Sequence, residues 1–138
     1  MKVELKRVND AVHFEASATS STVKVHIDGS PDIGGLALGV RPMEMVLMAL
    51  ASCSSLDLVS ILKKQKQDLK DFSVSVEGER REKIPTIFTK IHMTFTLKGT
   101  IDPDKAERAA ELAVKKYCSV HDMLAAGGIE ITYSIDIV

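Results

Sequence analysis

Two thiols, Cys53 and Cys118, carry the most readily activated nucleophiles in this sequence. Cys53 lies in Ala49-Leu50-Ala51-Ser52-Cys53-Ser54-Ser55, a mostly apolar stretch that turns polar around the thiol. Three serines and Asp57 surround it, and hydroxyls can hydrogen-bond a thiolate. Taken alone, the same residue is also a small core side chain, since free Cys is among the most buried types. Cys118 lies in Lys116-Tyr117-Cys118-Ser119, where one helix pattern ends and another begins. Unpaired N–H groups at the start of the second helix favour negative charge there. A structural thiol is the alternative at this position too. A thiol that acts as a nucleophile must be ionised. Free Cys ionises near pH ~8.5 and burial alone raises that value, so a reactive Cys53 requires a cation beside it.

Other chemistries find no support. Two cysteines without a CxxC and without a spaced histidine pair do not supply four metal ligands, so neither a metal nor another cofactor is expected. No phosphate-binding glycine loop, HExxH or GxSxG occurs. His13, His26 and His92 fall on the polar side of strand patterns and read as surface residues. His121, three residues after Cys118, is either a neighbour of that thiol or a solvated helix residue.

These thiols are held by a chain of 138 residues with 45% hydrophobic and 27% charged residues, the profile of one soluble globular domain spanning residues 1–138. Eighteen basic against nineteen acidic residues, few aromatics and no Trp argue against a nucleic-acid partner. The N-terminal residues have no apolar run of the signal-peptide kind, and two cysteines are too few for a secreted disulfide framework. A reducing cytoplasm is the expected compartment.

The positioning elements follow from changes of hydrophobic period. Val12, Phe14 and Ala16, then Val23, Val25 and Ile27, alternate with polar residues as half-buried strands do, and residues 2–8 suggest a third. Residues 29–42 hold four of the eight glycines and read as a loop. Pro42 opens a long helix, a position where its missing N–H costs nothing. Between Met45 and Leu62 the only charge is Asp57. The polar cluster in the second half excludes a membrane span. A helix apolar on nearly all sides is expected to be covered on all sides, by a sheet and by a second subunit.

Phe72, Val74 and Val76, then Ile91, Met93, Phe95 and Leu97, predict an antiparallel hairpin around Glu82-Lys83-Ile84-Pro85. Asp102-Pro103 begins a helix with the apolar stripe Ala106, Ala109, Ala110, Ala113, Val114 and Tyr117. Ser119-Val120-His121-Asp122 predicts the capped start of a short helix ending at Gly127-Gly128. Ile129, Ile131, Tyr133, Ile135 and Ile137 close the chain as a strand. The expected class is α+β, antiparallel sheets packed around a long buried central helix.

The run from Gly39 to Cys53, with Arg41-Pro42-Met43-Glu44 at its start, resembles the helix that carries the reactive cysteine in the OsmC/Ohr family. Lys115-Lys116-Tyr117-Cys118-Ser119-Val120 is similar to that family's second-cysteine segment, and the likeness extends to Asp28-Gly29, Gly34-Gly35 and the closing strand. The resemblance implies an intertwined homodimer with two active sites at the interface. It implies a peroxidase of the stress-response kind that reduces organic hydroperoxides. Cys53 would become a sulfenic acid, Cys118 would resolve it as a disulfide, and a dithiol reductant, lipoyl-type in the Ohr branch, would restore both thiols.

The resemblance also implies an Arg held by a Glu beside Cys53. Glu44 matches the Glu of the Pro-Met-Glu motif. Read from the helix alone, it is a dipole-favoured residue of the first turn. On an unbroken helix, about 100° per residue sets Glu44 roughly opposite Cys53 and about 13 Å along the axis. Their meeting then requires a break near Pro42 or pairing across the dimer. Arg41 is the first candidate for the cation and Arg7 of a partner chain the second. Two rival functions remain open: a non-catalytic module binding a small apolar or thiol ligand at the dimer interface, and a thiol redox sensor.

Overall fold

The structure is a computed structural model describing Met1 to Val138. The chain divides into two compact units, Met1–Val46 and Leu47–Val138.

The first unit is an antiparallel meander of β1 (Val3–Arg7), β2 (Phe14–Ala18) and β3 (Val25–Ile27). Its register places Leu5, Ala16 and Val25 in one row and Arg7, Phe14 and Ile27 in the next. Opposed residues of an antiparallel pair share a face. Arg7 therefore stands on the apolar face, while Lys6, Glu15 and His26 stand on the polar one. That apolar face is largely uncovered: Val3, Leu5 and Val25 are all exposed, and only Ala16 and Ile27 are buried. On the polar face His13 Nε2 and His26 Nδ1 lie 2.9 Å apart in a hydrogen bond.

The glycine-rich loop after β3 is more ordered than its composition suggests. Asp28 is buried and acts as its clasp. Its Oδ1 accepts the Gly29 N–H at 2.8 Å, and its Oδ2 accepts those of Leu36 and Leu38 at 3.0 and 3.1 Å. The Leu36 and Leu38 donors hold the carboxyl below its usual pKa. Gly39 is needed because a Cβ there would stand 2.4 Å from backbone atoms of His26. A single-turn 3₁₀ helix, Pro31–Ile33, sits within this loop.

From Pro42 the chain forms α1 (Pro42–Lys64), continuous through both cysteine-flanking serines. In the second unit α1 buries Leu50, Ser54, Leu58 and Leu62, one residue per turn. Each leucine contributes about 1.5–3 kcal/mol by leaving water. By length and composition α1 is apolar enough to cross a membrane, but its leucines belong to a core shared with a sheet. The expectation that the helix is covered on all sides holds for that one face. Met48, Leu56 and Val59, on the opposite side, are exposed in the protomer.

That sheet has the order β4 (Asp68–Arg80), β5 (Phe88–Thr100), β6 (Glu130–Ile137). Val74, Phe95 and Ile135 form one row across it, and Val76, Met93 and Tyr133 the next. β4 and β5 make the expected antiparallel hairpin. β6 departs from the all-antiparallel expectation by running parallel to β5. Parallel neighbours need a long crossover, and α2 (Pro103–Glu111), a π-helical segment (Leu112–Tyr117) and α3 (Ser119–Ala126) supply it. Asp102 caps α2, accepting the N–H groups of Asp104 and Lys105. Ala106, Ala109, Ala110, Ala113 and Val114 are buried as expected, whereas Tyr117 is half exposed. Tyr133 donates to Glu107 Oε1 at 2.8 Å, tying β6 to α2. Burial and that carboxylate push its phenol well above the ordinary value.

Candidate functional site

Cys53 and Ser54 reach the site from the middle of α1, on the margin and in the centre of its buried stripe respectively. Cys53 is half-buried, Ser54 is wholly buried, and Cys118 is 1% exposed. Both thiols are free. The Cys53 thiol and the Ser54 hydroxyl stand near enough to the Cys118 sulfur to influence its ionisation. The fold therefore brings together two sulfur atoms that are far apart in sequence.

The crossover explains how Cys118 arrives there. The sequence predicts one regular helix through Tyr117, but its last six residues are π-helical. Such segments recur at functional sites because the extra residue redirects the side chains that follow. Cys118 then takes an extended conformation, φ −73° and ψ 103°, and is itself the N-cap of α3. Its sulfur accepts the His121 N–H at 3.3 Å. The expected cap at Ser119 is thus displaced by one residue, since the side chain over the open N–H is the thiol. The His121 ring turns to Asp122 Oδ1 at 3.2 Å. Its contribution to the thiol is the backbone N–H alone.

The serines around Cys53 are not equivalent. Ser52 Oγ donates to Met48 O at 2.8 Å and Ser55 Oγ to Ala51 O at 2.6 Å, both back along the helix. Ser54 Oγ is buried and makes no hydrogen bond of full geometry, although it stands close enough to Cys118 to lower its pKa. Desolvation outweighs that help and, with the neighbouring Cys53, holds the Cys118 thiol above its ordinary value.

The sign of the resulting pH dependence is definite. The fold keeps Cys118 protonated where the unfolded chain would ionise it. Its contribution to stability is full below the ordinary thiol pKa and is lost as pH rises through the folded value. Above pH 9 the melting temperature of the wild type is expected to fall more steeply than that of Cys118→Ala. Parallel curves would contradict the burial of this thiol.

Glu44 and Arg41 are engaged at the start of α1. Glu44 Oε2 accepts the Arg41 backbone N–H at 2.9 Å, one half of a capping box. The Arg41 guanidinium makes no ion pair with it; its charge instead helps lower the pKa of Asp32, behind the Ser30 hydroxyl bond and a backbone N–H. The unbroken α1 supplies no bend that would turn Glu44 toward Cys53 within one chain. Arg7 has no ion-pair partner on its exposed apolar face.

No group of three or more His, Cys, Asp or Glu side chains converges on a possible metal position. A shallow groove of about 250 Å³, lined by Glu77, Glu79, Lys90, His92, Glu130 and Thr132 among others, opens on the polar face of the β4-β5-β6 sheet. It contains neither cysteine. Sequence reasoning missed Ser54 as a distinct member of the site. Its one available signal was its helical spacing with Leu50, Leu58 and Leu62, which puts a hydroxyl on a leucine stripe.

Comparison with known proteins places the chain in a family. The family model described as OsmC-like protein matches residues 34–134. Protein YhfA of Escherichia coli K12 is 47% identical over 98 residues, covering 70% of this chain and 72% of that protein. The crystal structure of a hypothetical protein from Aquifex aeolicus superposes with a TM-score of 0.82 at 30% identity, covering 99% of this chain and 96% of the other. An organic hydroperoxide resistance protein OsmC from Legionella pneumophila shares the fold, with a TM-score of 0.68 at 17% identity and coverage of 99% and 97%. On the match across its second sheet, its cysteine helix and its crossover, the chain belongs to the OsmC-like family.

Proposed function

We propose that this protein is a thiol peroxidase that reduces organic hydroperoxides and cycles through a Cys53–Cys118 disulfide. The observation that carries the reading is the adjacency of the two free thiols, one half-buried and one enclosed. Cys53 thiolate attacks the terminal oxygen of the hydroperoxide. The O–O bond breaks, the alkoxide leaves and takes up a proton from solvent as the alcohol, and Cys53 becomes a sulfenic acid. Cys118 then attacks the Cys53 sulfur, forming the S–S bond as the hydroxyl leaves and takes up a proton as water. A dithiol reductant in the cytoplasm returns both thiols by exchange. The apolar residues flanking Cys53, among them Ala49 and Ala51, suit an alkyl substrate better than hydrogen peroxide.

The working unit in this reading is a homodimer. Met48, Leu56 and Val59 on α1, and Val3, Leu5 and Val25 on the first sheet, are apolar surfaces of the kind that a second copy covers. Arg7 is favoured over Arg41 as the cation that ionises Cys53. Neither Arg7 nor Arg41 makes an ion pair; Arg7 projects from a face that association would bury, and that placement is the ground for preferring it. Glu44, spent on its helix cap, is assigned to holding the start of α1 unless the partner chain engages it.

The test is consumption of cumene hydroperoxide by the protein with excess dithiothreitol, against hydrogen peroxide at the same concentration. Turnover faster with the alkyl peroxide is expected. No consumption of either above the thiol-only background would overturn the reading.

A further inference from the structure

We propose that Ser54 is a positioning residue for Cys118: its buried, unpartnered hydroxyl donates a hydrogen bond to the Cys118 sulfur whenever that sulfur carries negative charge. The inference rests on the disulfide cycle above and deepens it by assigning the group that manages charge on the enclosed sulfur.

Three observations converge on Ser54. Its Oγ is buried without a partner of full geometry, although such groups are rare in folded proteins and call for an explanation. The serines on either side of the thiol, Ser52 and Ser55, have their hydroxyls committed to helix carbonyls, so Ser54 alone is free to turn. The Cys118 sulfur is the site group on which the Ser54 hydroxyl acts. A neutral thiol is a weak acceptor and does not hold a hydroxyl in tight geometry. A thiolate does, and such bonds shorten as the charge develops.

The Cys118 sulfur carries charge at two points of the cycle. As nucleophile it attacks oxidised Cys53 as a thiolate. During reduction the external thiolate reaches the more exposed Cys53 sulfur. A new S–S bond forms there, the Cys53–Cys118 bond breaks, and its electron pair leaves on Cys118. A leaving thiolate departs faster when its charge is stabilised. The other groups facing this sulfur are Cys53 from α1, which opposes ionisation, and the His121 N–H from α3, which supports it. No cationic side chain is among them. Ser54 and the His121 amide therefore form a two-donor cradle for an otherwise desolvated anion.

The experiment compares wild type, Ser54→Ala and Ser54→Thr. In reduced protein labelled with ¹³C at the cysteine Cβ, the Cys118 resonance is followed against pH. Its midpoint is expected to move up in Ser54→Ala and to return toward the wild-type value in Ser54→Thr. An unchanged midpoint in Ser54→Ala overturns the proposal. In parallel the disulfide is formed with diamide, and its opening by excess dithiothreitol is timed at pH 7. Ser54→Ala is expected to slow opening about tenfold, the worth of one hydrogen bond to an anion. An unchanged rate also overturns it.

A purely structural hydroxyl would behave otherwise: its removal would lower the melting temperature and leave the titration in place. Because this hydroxyl is unsatisfied at rest, Ser54→Ala is expected to melt at or above the wild-type temperature. Diamide makes the disulfide without a peroxide, so a protein inert to hydroperoxides would defeat the peroxidase reading and still report on Ser54.

Discussion

Cys53→Ser is expected to reduce hydroperoxide consumption to background, while Cys118→Ser consumes one equivalent of peroxide per chain and then turns over slowly. The difference follows from position. Cys53 is the accessible thiol of the pair, and its sulfur must take the oxygen; a serine hydroxyl at that site has neither the acidity nor the polarisability to replace it. Cys118 is enclosed and in the proposed cycle acts only on the oxidised partner. Without it, Cys53 sulfenic acid persists and is captured by dimedone. Turnover then depends on direct attack by an external thiol, and loss of the intramolecular nucleophile is expected to lower the rate at least about tenfold. Stoichiometric peroxide loss in Cys53→Ser, or undiminished turnover in Cys118→Ser, would remove the respective residue from the cycle. Circular dichroism separates chemistry from folding, since Cys118 also caps α3.

Leu56→Asp is the second substitution with a large expected consequence. Leu56 is 75% exposed in the protomer. On a monomer, a charge at such a position changes stability by no more than about 0.5 kcal/mol. In a two-fold dimer the same residue enters the interface from both chains, and an uncompensated buried carboxylate costs several kcal/mol per ion. Sedimentation of the wild type at micromolar concentration is expected to give twice the chain mass. Leu56→Asp is expected to give the single-chain mass, or an insoluble product, with loss of peroxide turnover. A wild type that sediments as one chain, or a variant that stays dimeric and active, contradicts the assembly assigned to this face.

Much of the architecture is written in periodicity. The alternation in Phe72 to Val76, Ile91 to Leu97 and Ile129 to Ile137 marks one buried face of a sheet, and the structure uses that face. Pro42, the Asp102 cap and the Ala106–Val114 stripe mark the helices for equally local reasons. Strand direction is not local. Ile131 and Ile135 alternate identically whether β6 runs parallel or antiparallel to β5, and only the length of the crossover constrains the choice.

The π-helical segment was equally illegible, since Leu112–Tyr117 continues the same apolar spacing as the helix before it. The cap of α3 was misplaced by one residue because thiols are not customary caps. At the site, the two cysteines and their polar surroundings were readable, but the inequality among Ser52, Ser54 and Ser55 was not. It depends on which hydroxyl faces a helix carbonyl and which faces Cys118. The first-turn reading of Glu44 rests on the helix dipole alone, and the bond it makes to the Arg41 N–H is a detail that reading does not name.

The central claim is that the adjacent thiols form one redox couple driven by an alkyl peroxide. Its most direct measurement is peptide mapping by mass spectrometry after mixing reduced protein with one equivalent of cumene hydroperoxide and blocking residual thiols with iodoacetamide. The account predicts a linked pair of peptides, one containing Cys53 and the other Cys118, in proportion to the peroxide added, and reversal by dithiothreitol. Recovery of both cysteines as unlinked, alkylated or over-oxidised species would contradict it.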